Sequence, residues 1–158
     1  MRFEFSSIGL IISILILMPS LLFFTLFPPK NAPAAAPAIN PIFTLLERVG
    51  QGAVFMVLIF LTKPDFSGRD ADVWAMLTAV CFVLYYIMWI RYLARGRDRG
   101  YLTKAFLFIP IPLAVFPVCA LLFASLWGES LWLCIATVIF AVGHLAVSWA
   151  SAVSDGNT

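Results

Sequence analysis

The chain has 158 residues, 63% of them hydrophobic and 11% charged, with a mean hydropathy of +1.01. A soluble domain averages about 45–50% apolar and about 25% charged residues, so too little polar surface is available to coat a water-soluble globule, and the expected class is an integral membrane protein. The formal net charge of +2 is too small to argue for nucleic acid as a partner; the expected partner is the lipid bilayer.

Five apolar runs are long enough to span about 30 Å of hydrocarbon at about 1.5 Å per helical residue. They cover approximately residues 8–27, 42–62, 73–92, 106–127 and 131–150. The expected fold is therefore all-α, a single transmembrane domain over residues 1–158 built as a bundle of five helices. The first connection, "PPKNAPAAAPAINP" over 28–41, holds five of the ten prolines and reads as a semi-extended linker. In the second, "KPDFSGRDAD", Asp70 or Asp72 is placed to cap the third helix. The third, "RYLARGRDRGYLTK", is basic. The fourth, "WGES", is a tight turn that makes the last two helices antiparallel neighbours. Trp and Tyr gather near the ends of the runs (Trp74, Trp89, Tyr92, Tyr101, Trp127, Trp132, Trp149), where an amphipathic ring suits the membrane interface.

Orientation follows from Lys and Arg. The 91–104 loop carries Arg91, Arg95, Arg97, Arg99 and Lys104, which assigns it to the cytoplasm. With five spans the 28–41 linker falls on the same side, with Lys30 and Arg48; only Arg2, Lys63 and Arg69 remain outside. The N-terminus is then outside and the C-terminus inside. A rival reading treats residues 1–36 as a cleaved signal peptide, with "PAAAPA" supplying small residues. Against it, the apolar run is too long for a signal core and "MRFEFSS" has no net positive charge.

Polar residues inside the runs are the candidates for function. Glu47 lies about six residues into the second run, or roughly 9 Å deep; a charge facing lipid there is costly, and insertion scales put Asp, Lys or Arg at about 2.5–3.5 kcal/mol at mid-helix. It should face the interior, be protonated, or be paired. Arg48 has a stem long enough to snorkel. The single histidine, His144, sits on a small and polar stripe, Thr137, Ala141, His144, Ser148 and Ser151, which share one helical face. A second stripe runs Trp74, Thr78, Cys81, Tyr85, Met88 and Tyr92. At matching depth the first run offers Pro19 and Ser20, and the fourth offers Pro110 and Pro112. One plane of the bundle thus collects Ser20, Glu47, Gln51, Tyr85 and His144, beside Arg48, as a buried polar site in the cytoplasmic third. Glu47 and His144 can shuttle a proton, or equally hold the polar end of a small amphipathic ligand. Affinity for it should respond to pH at about 6–7 if histidine takes part.

Each of these residues also has a structural reading. Arg48 can snorkel, Tyr85 can bond a neighbouring helix, His144 can be a satisfied core donor, and the prolines can be kinks. In that case the chain is an accessory subunit whose stripe packs helices or a partner. An enzyme is the less favoured class: no catalytic residues are assigned, and one histidine with one buried acid is too few for a metal site. No cofactor is expected. Cys81, Cys119 and Cys134 show no CxxC spacing and read as reduced packing residues. A chain this short is small for a lone transporter, which makes a homodimer a natural assembly.

"LLERVGQ" in the second run, "LYYIMWIRY" in the third and "FAVGHLAVS" in the last resemble small multipass bacterial membrane proteins of unknown function. The resemblance implies a bacterial cytoplasmic (inner) membrane location. It says nothing about activity, and it draws Glu47, Arg48 and His144 together.

Overall fold

The computed structural model describes residues 5–31, 39–60 and 72–156, and no strand occurs among them. In chain order the helices are α1 (Ser7–Leu26), α2 (Pro41–Phe60), α3 (Val73–Ala94), α4 (Gly100–Thr103), α5 (Pro112–Trp127) and α6 (Leu131–Ser154). Three of them, α2, α3 and α6, are long and apolar enough to cross a membrane. Two shorter apolar helices accompany them, Ser7–Leu22 within α1 and α5. Large apolar side chains such as Ile11, Leu45, Met56, Val83, Ile90 and Val138 point outward, while Ser13, Thr78, Ser125 and Thr137 are buried. A water-soluble monomer does not carry so much apolar surface, and the inverted pattern fits an apolar solvent.

Local chemistry sets the helix ends. The Ser6 hydroxyl accepts from Gly9 N at 3.0 Å and opens α1. Asp72 accepts from Trp74 N and Ala75 N and caps α3. Ser130 does the same for Leu133 N in the short turn between α5 and α6. The other expected cap, Asp70, and the middle of the proline-rich linker lie outside the described residues. The fourth span differs from expectation. Its helix starts at Pro112 rather than near 106: a residue that precedes proline is disfavoured in the right-handed helix, and two such residues lie close together here. Ile109 and Ile111 both precede proline, and Ile111 adopts a left-handed conformation, φ 43°. Pro112 is tolerated as the first helical residue because its missing N–H has no partner to lose.

Neighbouring helices run antiparallel. Ser6 N donates to Ile59 O at 2.9 Å, tying the start of α1 to the end of α2. Trp74 stacks on Phe123 between the start of α3 and the end of α5. The most extensive pairing is α2 with α6. Here the backbones nearly touch: a Cβ on Gly143 would overlap the Glu47 backbone, and one on Gly50 would overlap Phe140. Only glycine permits that approach. α1 and α3 run parallel and are joined by tyrosines. The Tyr86 hydroxyl donates to Leu15 O at 3.0 Å, and Tyr92 donates to Phe27 O at 3.0 Å. The first bond answers a specific need. Pro19 lies inside α1 and has no N–H to return to the Leu15 carbonyl. Tyr86 supplies the missing donor from across the interface.

Candidate functional site

The close α2–α6 contact sets Glu47 opposite His144. His144 Nδ1 lies 2.7 Å from Glu47 Oε1, with the two side chains 24% and 22% exposed. The separation requires one proton between them, and an ionised carboxylate can only accept. The imidazole stacks on Phe140 one turn earlier, centroids 4.7 Å apart and planes 17° apart. The ring is thus fixed by a packed face and a hydrogen bond, and Gly143 brings the α2 backbone close enough for the bond to form.

This pair opens onto a cavity of about 380 Å³. Ser20, Gln51, Tyr85 and Ser148 share its wall with Glu47 and His144, so α1, α2, α3 and α6 all contribute. The Tyr85 hydroxyl donates to Ile16 O at 3.2 Å and lies 3.5 Å from Ser20 Oγ. Apolar side chains make up much of the remaining wall: Ile16, Leu17, Trp89, Phe140 and Val147, with Leu113 and Pro117 from α5. Pro117 cannot donate to the Leu113 carbonyl, so the α5 wall offers an acceptor that lacks its usual helical partner. Arg48 is not in the lining. It is exposed on another face of α2.

A second polar cluster lines the same cavity, and the sequence did not point to it. Arg99 Nε lies 3.0 Å from Asp155 Oδ1, and Thr103 Oγ1 donates to Asp155 Oδ2 at 3.2 Å. Asp155 is the C-cap of α6, where the helix dipole disfavours an anion; an acid in that position calls for a cation, and the arginine-rich loop faces it. That mismatch was the available signal. The cavity therefore has a hydrogen-bonded polar pair at each end of a mostly apolar wall, Glu47–His144 further in and Arg99–Asp155 near the helix termini.

Among the described residues, no three His, Cys, Asp or Glu side chains converge as metal ligands. Cys81, Cys119 and Cys134 are free thiols. Such a cavity suits a molecule with a polar group at one end and an apolar body. The Glu47–His144 pair can also hold or pass a proton. Comparison of the chain with protein families, curated proteins and solved structures gives no match.

Proposed function

We propose that the protein is a five-span component of a bacterial inner membrane, N-terminus outside and C-terminus inside, that binds or transports a small amphipathic ligand in this cavity. The observation that carries the reading is the convergence of Ser20, Glu47, Gln51, Tyr85 and His144 on one cavity whose wall is mostly apolar. Pockets for small ligands have this character: mostly apolar, about 300–1,000 Å³, with a few polar groups that fix orientation. The cavity lies toward the end of the molecule where Lys30, Arg48, Arg91, Arg95, Arg97, Arg99 and Lys104 gather, which supports access from the cytoplasmic side.

Native mass spectrometry on protein gently extracted from its own membrane tests the reading. The expected result is a retained small molecule of defined mass, lost in Glu47→Gln and in His144→Ala. A bare protein, unchanged by either substitution, would overturn it.

A second reading, a structural or accessory subunit, draws on the Gly143–Glu47 backbone contact. On that reading the Glu47–His144 bond locks α2 to α6 and the cavity is incidental. The same spectra separate the two: a protein partner or a bare oligomer favours the lock.

A further inference from the structure

Residues 105–111 are apolar and lie outside any helix, and the middle of the segment, Leu107 and Phe108, protrudes. Phe106 and Ile109 exchange backbone hydrogen bonds, Phe106 N to Ile109 O at 3.1 Å and Ile109 N to Phe106 O at 3.0 Å. Between them Leu107 and Phe108 form the tip of a tight turn, with Leu107 at φ 54°, a conformation that is uncommon without glycine. The turn holds both side chains outward: Leu107 is 78% exposed and Phe108 99%. Beside it, three cations converge on one ring. Arg91 Cζ, Arg95 Cζ and Lys104 Nζ lie 5.3, 5.5 and 5.1 Å from the Tyr101 ring centroid. Arg91 also donates to the Ala105 carbonyl through both terminal nitrogens, which joins the basic cluster to the base of the turn. Among the described residues none of these three cations forms an ion pair with a carboxylate. Cation–π attraction offsets only part of their mutual repulsion, so among the described residues the cluster has no carboxylate counter-anion.

We propose that Arg91, Arg95 and Lys104 around Tyr101 bind the phosphate of an anionic phospholipid, while Leu107 and Phe108 insert beside its acyl chains. The inference rests on the membrane-spanning reading above. The length of α5 sets the depth. Its 16 residues cover about 24 Å, short of about 30 Å of hydrocarbon, and the apolar turn occupies the missing interval at the basic end. Backbone can leave a helix at that depth only if its polar groups are satisfied. The paired Phe106 and Ile109 and the bonded Ala105 carbonyl meet that requirement at the base of the turn, which leaves the tip peptides to the headgroup side of the hydrocarbon. The cations then sit at headgroup level and the tip side chains sit just below. A soluble anion would account for the charges but not for the outward Phe108.

Native mass spectrometry of the full chain in micelles containing equal phosphatidylglycerol and phosphatidylcholine tests this. The wild type is expected to retain phosphatidylglycerol preferentially. Arg95→Gln/Lys104→Gln changes two exposed side chains outside the cavity and should cut the preference by about five-fold or more, the scale set by one to two juxtamembrane basic residues. Phe108→Ser should lower retention of both lipids alike. Glu47→Gln should leave the preference intact, which keeps this site separate from the cavity. Equal retention of the two lipids by the wild type, an unchanged preference in the double variant, or displacement of the lipid by millimolar inorganic phosphate would each overturn the lipid site. Loss of both lipids from the wild type would instead count against the membrane-spanning reading.

Discussion

The Glu47–His144 bond ties an acid on α2 to the single histidine of the chain across 97 residues of sequence. Glu47→Gln keeps the shape and an acceptor but removes the charge, so a charge-assisted bond becomes an ordinary one. The expected loss of stability is about 1 kcal/mol, read as a lower midpoint of thermal unfolding. His144→Ala is expected to cost more, about 2–3 kcal/mol, because it also removes the Phe140 stack and leaves the carboxylate without its partner. Equal losses in the two variants would mean that the Phe140 stack and the orphaned carboxylate add nothing, and no loss in either would mean that the bond contributes little. The sequence marked both residues by depth, since a charge that far inside a span needs a partner. It could not mark Asp155, which lies beyond the last apolar run and meets Arg99 only once the chain is folded. Nor did it separate Arg48 from Glu47: adjacent residues on a helix point about 100° apart, and only the position of α6 decides which of them faces inward.

Two contacts between helices depend on a single residue each. Gly143 lets α6 touch the α2 backbone at Glu47. Gly143→Leu places a branched side chain against backbone that cannot yield, and its cost should fall at the top of the usual range of about 1–3 kcal/mol for overpacking. It should also abolish any ligand retention, because Glu47 and His144 are forced apart. Pro19 and Tyr86 form a compensating pair across α1 and α3. Tyr86→Phe leaves the Leu15 carbonyl without its donor, an expected cost of about 0.5–2 kcal/mol. In a Pro19→Ala background the helix regains its own N–H, and the same substitution should then cost almost nothing. A double-mutant cycle on unfolding midpoints measures this directly, and an unchanged Tyr86→Phe penalty in that background would contradict the pairing. Hydropathy alone located five apolar runs, each now occupied by a helix, because runs of that length have few alternatives. It misplaced the start of α5 by six residues, since composition does not register what Pro110 and Pro112 do to the residues before them. The single turn of α4 inside the basic loop carries no hydropathy signal at all.

With the basic end in the cytoplasm, a reporter fused after the C-terminus should be active only inside the cell; activity outside would reverse the orientation and give the cavity the opposite entrance. Occupancy is the central matter, because the Glu47–His144 pair serves equally as a ligand site or as a lock between α2 and α6. Substitution of a third residue distinguishes them. Ser148 lines the cavity one turn beyond His144, and Ser148→Phe fills the space while leaving both Glu47 and His144 in the chain. The measurement to make is the mass retained by this variant in native spectra, read beside its unfolding midpoint. Loss of a ligand that the wild type holds, with the fold as stable as before, is the expected result. An undiminished ligand, or a wild type with nothing to lose, would contradict the binding site and leave the charged turn of α2 as a device for packing helices.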